Sequence, residues 1–323
     1  MHVGFWGWVA FNGFVLAMLA LDLGVFHRKA HVIRAKEALI WTAVWILLAL
    51  VFGGWLYVRA GPQSALEYLT GYFAEKVLSV DNIFVMVMIF GYFGVPALDQ
   101  HRVLFWGILG ALVLRGAFIG TGAIVLHEWH WVLYVFGALL VVTGVRVAFR
   151  KEETPDLARN PVVRLARRLL RITDGYRDHH FFVRQEGLLY ATPLLLVLLT
   201  IEVTDVLFAM DSIPAVFAIT QNPFLVYTSN IFAILGLRSM YFVLADFVNR
   251  FTYLKYALSL ILVFIGGKLL LARVIQIPAF TSLALILLSV TAAIVASIHV
   301  TRRDGRRAAS GPDAETTGEK PGA

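Results

Sequence analysis

Apolar stretches of about 20 residues recur along this chain, each long enough to cross a bilayer as a helix. Only 15% of the residues are charged, where a soluble chain has roughly a quarter, and 59% are hydrophobic, with mean hydropathy +0.76. The expected fold is all-α, a polytopic membrane helix bundle. Nine spans are expected at about 3–25, 38–58, 67–90, 103–126, 129–149, 188–219, 224–248, 254–273 and 279–299. The N-terminal Met1-His2-Val3-Gly4 has no basic segment of the kind that opens a signal peptide, so the first span reads as uncleaved.

Positive charge orients these spans. Of the 28 Lys and Arg, 21 fall on one side, in the linkers with Arg28, Lys29, Arg34, Lys36 and Arg102, in the stretch Arg150–Arg184, at Arg250 and Lys255, and in the tail. Arg59 and Arg273 fall on the other side, and five bases lie inside spans. The N-terminus is therefore expected outside and the C-terminus in the cytoplasm. The net charge of +7 suits anionic headgroups, and no nucleic-acid motif is present. The sequence has no cysteine, so disulfides and thiolate ligands are ruled out.

A single transport domain is expected over 1–300, with a cytoplasmic linker at 150–187 and a disordered tail at 301–323. Within the linker, Val162–Ile172 has the spacing of a short amphipathic surface helix.

Charges inside the spans repeat in order. Glu75 and Asp81 are six residues apart, as are Asp205 and Asp211. Arg115 in Leu112-Val113-Leu114-Arg115 matches Arg238, and Arg146 after Thr143-Gly144-Val145 matches Lys268 after Gly266-Gly267. Two units of three spans, about 67–149 and 188–273, follow one another. An odd number of crossings makes them run in opposite directions, a 3+3 inverted repeat of the kind that places substrate between the halves of transporters.

Ionisable groups within a membrane must be paired, wetted or bound to an ion. Glu75, Ser79 and Asn82 share one helical face, and Glu202, Asp205 and Ser212 share another. Pro214 leaves the Met210 carbonyl without its usual donor, so the sixth span is a candidate for a break. Carboxylates, amides, hydroxyls and carbonyls suit Mg²⁺, Ca²⁺ and Mn²⁺. The candidate metal set is Glu75, Asp81, Asn82, Glu202, Asp205, Asp211 and Ser212. Lys76, Arg115, Arg146, Arg238 and Lys268 are candidate counter-ions, with Asp22, Met210 and Asn230 as further candidates. His127-Glu128-Trp129-His130 lacks zinc-motif spacing and reads as an external turn.

These residues resemble a known family. Glu75-Lys76-Val77-Leu78-Ser79-Val80-Asp81-Asn82, Glu202 to Pro214, Asn230 to Arg238, and Asp22 to Lys29 are similar to the motifs of the TerC family, over nearly all of 10–300. Val77 departs from the pattern, as does Arg146 where its repeat partner is Lys268. The resemblance implies a bacterial inner-membrane protein of the lysine-exporter-like superfamily, linked to tellurite resistance and, for several members, to Mn²⁺ export or delivery to secreted enzymes. It implies Glu75, Asp81, Asn82, Glu202, Asp205 and Asp211 as the acidic motif residues.

The leading expectation is a secondary transporter exporting divalent cations, Mn²⁺ or Ca²⁺, in exchange for protons, with no tightly bound cofactor. Its partners are then the bilayer and the ion. Competing readings are a non-transporting component of a secretion or stress complex, docking through 150–187, and an oxyanion transporter using the membrane bases. No activated nucleophile is legible, so an enzyme is not expected.

Overall fold

The computed structural model describes residues 3–21, 35–129, 131–149, 164–165, 168–177, 180–185, 187–245, 254–271, 274 and 277–309. Asp22, Arg28, Lys29, Arg34, His130, Arg250 and Arg273 lie outside the described residues, as do 150–163 and 310–323.

The described helices are α1 (Phe5–Leu21), α2 (Ala35–Phe93), α3 (Ala97–Glu128), α4 (Val132–Phe149), α5 (Pro193–Phe217), α6 (Pro223–Leu235), α7 (Leu237–Leu244), α8 (Leu254–Leu270) and α9 (Ala279–Ala309). A hairpin of β1 (Phe182–Gln185) and β2 (Leu188–Ala191) precedes α5. Among the described residues, five stretches are long and apolar enough to cross a membrane: Lys36–Phe93, Ala97–Leu126, Val132–Phe149, Pro193–Phe217 and Ala279–Ser297. Phe5–Leu21 and Pro223–Leu235 are apolar but shorter.

The long run of α2 turns at Gly61, whose φ of 85° and ψ of 170° are open to glycine but costly for residues with a Cβ. Pro62 follows and cannot donate back into the first arm. The arms then pack on each other, with the Phe52 and Tyr68 rings 5.2 Å apart and the Tyr68 hydroxyl donating to the Ala49 carbonyl. Gly94, at φ 60°, closes the second arm, and the Val95 amide reaches back to the Phe90 carbonyl.

At the centre of the bundle, every residue of α6 from Phe224 to Leu235 is buried. Its start is fixed by Asn222, which accepts from the Phe224 and Leu225 amides, and by Pro223 in the first turn. α6 packs on α2 and α3, α5 packs on α2 and α3, and α4 packs on α8. The α4–α8 contact is backbone-close. A Cβ on Gly137 would stand 3.0 Å from the Gly266 carbonyl oxygen, and one on Gly144 would stand 2.9 Å from that of Ser259. The Ser259 hydroxyl donates to the Gly144 carbonyl at 2.7 Å. Small residues at such positions let membrane helices touch without a hydrophobic driving force between them.

Three expectations change. Residues 188–191 form a strand rather than the start of a span, because Pro193 sits in the first turn of α5. The expected seventh span is divided at Gly236 into α6 and α7. Helix α9 continues to Ala309, into the segment read from composition as tail. In the linker, Arg164–Leu165 and Arg168–Leu169 are helical, and Leu165 and Leu169 are exposed. The segment before α5 is tied to the bundle where the Tyr176 hydroxyl donates to the Phe93 carbonyl and Arg102 stacks on Phe181.

Candidate ion site

Arg115 lies in the middle of α3 and is 1% exposed. Its Nη1 donates to Glu75 Oε1 on α2 and to Asn230 Oδ1 on α6, the latter at 3.1 Å. Its Nε and Nη2 grip Asp205 on α5, at 3.1 Å and 2.8 Å. A guanidinium is suited to this because its donors form a rigid planar fork that matches a carboxylate edge. Asn82 Nδ2 completes the ring by donating to Asp205 Oδ1 at 3.4 Å. One cation thus holds two carboxylates, with the Lys76 ammonium within electrostatic reach of Glu75.

Buried polar atoms without partners are expensive, and several at this place have none. Glu75 Oε2, Ser79 Oγ and Asn82 Oδ1 are buried without hydrogen-bond partners, as is the amide nitrogen of Asn230. Beside Asn82 and Asp205 is a cavity of about 10 Å³, lined also by Met86 and Thr204, which is on the order of one water in size. Among the described residues no three Asp, Glu, His or Cys side chains converge as a ready-made metal cage. The arrangement therefore offers a cation mixed oxygen ligands, two of them from carboxylates already shared with an arginine.

Glu202 lies on α5 against Gly110 of α3, half-buried, and its Oε2 has no hydrogen-bond partner. Ser212 is buried with its hydroxyl unpartnered. Asp81 and Asp211 are half-buried, and each stands about 120° round its helix from the acid six residues before it. Asp211 accepts from Thr143 of α4 at 3.4 Å. Helix α5 runs unbroken past Pro214 to Phe217, and the Met210 side chain is 52% exposed, away from the site. Asn230 reaches the site as an acceptor for Arg115.

The bases divide likewise. Lys76 is buried beside Glu75, and its Nζ donates to the Ala233 carbonyl at 2.9 Å. It spans the α6–α7 break, where a Cβ on Gly236 would come within 2.6 Å of Nζ. Any other residue there would make the lysine tip shift. Arg238 is buried at the start of α7. Lys268 donates to Ser282 on α9. Arg146, expected as a membrane counter-ion, is exposed in the last turn of α4. Reading the sequence left out Glu67, Thr220 and the α6–α7 break. Glu67 carried a signal, two turns before Glu75 on the same helix.

The sequence profile described as the integral membrane protein TerC family matches residues 60–305. The chain belongs to the TerC family. All the residues of the Arg115 group lie within the matched span. Among its relatives, an uncharacterized membrane protein of Myxococcus xanthus is 52% identical over 91% of this chain and 92% of its own. A protein of Escherichia coli K12 with the provisional name membrane-bound redox modulator Alx is 50% identical over 86% of this chain and 90% of its own. An uncharacterized membrane protein of Rickettsia felis is 41% identical over 90% and 97%. No solved structure matches the chain. This TerC protein is thus a multi-pass membrane protein of a family found in several bacteria.

Proposed function

We propose that this protein is a secondary transporter that exports divalent metal cations, Mn²⁺ foremost, from the cytoplasm across the bacterial inner membrane in exchange for protons. The observation that carries this is the sharing of Arg115 by Glu75 and Asp205. In the inverted-repeat reading, one carboxylate comes from each half, and the two share one guanidinium. An arriving cation competes with Arg115 for the carboxylates and takes up the acceptors that lack donors. Arg115 then releases one or both acids, and protons returning from outside restore them.

The repeat itself is supported by the α4–α8 seam. The offset that carries Arg146 onto Lys268 also carries Gly137 onto Ser259 and Gly144 onto Gly266. The Gly137–Gly266 contact then maps onto Ser259–Gly144, which is the other close contact of the same pair. A two-fold axis between the halves requires this kind of self-mapping. Exchange of α2–α6 for α5–α3 packing fits the same axis.

Oxygen ligands in a cavity lined also by Met86 favour Mn²⁺ over Ca²⁺. An oxyanion is disfavoured because Arg115 is committed to two carboxylates and Lys76 to a carbonyl. Relatives carry a name in redox modulation. This sequence has no cysteine to exchange electrons through a thiol, so any redox consequence would follow from the metal it moves.

Purified protein tests the site directly. Mn²⁺ should raise the thermal midpoint of the wild type by mass action, and Asp205→Asn should remove that rise. Cells lacking the protein should accumulate Mn²⁺. Equal stabilisation of both forms, together with unchanged cellular Mn²⁺, would end this reading.

A further inference from the structure

The second arm of α2 carries a stripe of polar or small residues at Glu67, Gly71, Glu75, Ser79 and Asn82, steps of three or four that keep one side of a helix. Glu75 occupies the middle of this stripe, facing Asp205 of α5 across Arg115. The small cavity beside Asn82 and Asp205 lies toward its C-terminal end, the cytoplasmic end in the charge-based orientation. Toward the other end the stripe is closed. A Cβ at Gly71 would stand 3.0 Å from Ser229 Oγ and 3.1 Å from Val216 Cγ1, so helices α6 and α5 bear directly on α2 there.

Beyond that closure lies Glu67, eight residues and about 12 Å along the helix from Glu75. Thr220, in the turn between α5 and α6, donates to its Oε2 at 2.6 Å, and Gln63 donates to its Oε1 at 2.8 Å. Lys268 on α8 is within electrostatic reach of it. Between the two acids, Tyr72 is wholly buried and its hydroxyl has no hydrogen-bond partner. Glu67 therefore sits at the seam between the proposed halves, as Glu75 does, on the far side of the Gly71 contact.

We propose that Glu67, with the Thr220 hydroxyl, forms a second divalent-cation station at the outer mouth, where cargo leaving Glu75 and Asp205 lands before release. This rests on the transport reading above and adds a site to it. Lys268 suits the role. A pathway needs stations that bind well enough to be entered and weakly enough to be left. A nearby ammonium lowers cation affinity at Glu67 and supplies the counter-charge once the cation has gone.

The experiment uses the full chain in proteoliposomes containing an Mn²⁺-quenched dye, with Mn²⁺-dependent thermal stabilisation of the same proteins in detergent. Glu67→Gln keeps the shape and the Thr220 neighbour, and its metal-free melting temperature checks folding. It should retain Mn²⁺ stabilisation with a wild-type midpoint but transport at least about tenfold more slowly, the scale seen when a group supporting a metal site is lost. Glu67→Asp should recover part of the rate, and Asp205→Asn should lose both readouts. Transport by Glu67→Gln at the wild-type rate overturns the outer station and leaves the central site standing. Loss of stabilisation in step with Asp205→Asn makes Glu67 a structural carboxylate and also overturns the station. A wild type that neither transports Mn²⁺ nor is stabilised by it removes the central reading and this one together.

Discussion

The second arm of α2 and helix α5 carry the same pattern, an acid followed six residues later by another, yet neither uses its two acids alike. Glu75 and Asp205 meet on one guanidinium at the centre of the bundle. Asp81 and Asp211 stand about a third of a turn round their helices, half-buried, with Asp211 against Thr143. The helices differ along their length as well. The α2 arm is polar or small at one step after another from Glu67 to Asn82, whereas α5 concentrates its polar groups between Thr200 and Ser212. The lesson is that equal spacing does not give equal partners, and the neighbouring helix decides which member of each pair is bound. Arg115, one residue on α3, takes one acid from each of the two helices.

The strongest way to break this comparison is to remove the arginine. Arg115→Met leaves two buried carboxylates facing each other and should cost about 3–5 kcal/mol, the usual scale for stranding a buried charge. The readout is a large fall in melting temperature and yield, and adding Glu75→Gln with Asp205→Asn should restore much of it. An Arg115→Met protein as stable as the wild type would mean the two acids are not held as one unit.

A second test separates the members of each pair. Asp81→Asn and Asp211→Asn should cost about 1–1.5 kcal/mol, the scale of one hydrogen bond, and should keep Mn²⁺ stabilisation that Glu75→Gln and Asp205→Asn lose. If Asp211→Asn abolishes stabilisation as fully as Asp205→Asn, both members belong to the site and the contrast disappears.

The smallest effect is expected outside the membrane. Tyr176 fastens the segment before α5 to the end of α2, and burial, then the charge of Asp99, push its hydroxyl up to about 12. Because the folded value lies above the ordinary 10.0, the stabilisation is complete below that pH and fades as pH rises through the folded value. Tyr176→Phe should cost about 0.5–1 kcal/mol and raise protease cleavage of this segment at neutral pH, with Mn²⁺ stabilisation untouched. Unchanged cleavage would show that the hydrogen bond does not anchor the segment.

Much of the site was legible from side-chain type. Glu75, Asn82, Asp205, Arg115 and Asn230 all stood out as polar residues in apolar surroundings, and four helices bring them together. Their partnership was not legible. Arg115 could have served the acids of either helix, and Arg146 looked equivalent to Lys268 until the end of α4 left it exposed. Pro214 signalled a break in α5, but the helix absorbs it, and the break falls at Gly236, beside the Lys76 ammonium from another helix.

The sequence by itself determined that this chain lies in a membrane and which polar residues must be accounted for there. Both follow from local chemistry, since hydropathy over about 20 residues and the cost of a lone charge in lipid do not depend on distant neighbours. Only the tertiary structure decided which acid met which base, where α6 gave way to α7, and that 182–191 formed a hairpin. Those outcomes depend on close contacts between segments far apart in the chain, and neither composition nor spacing encodes the rotation of one helix against another.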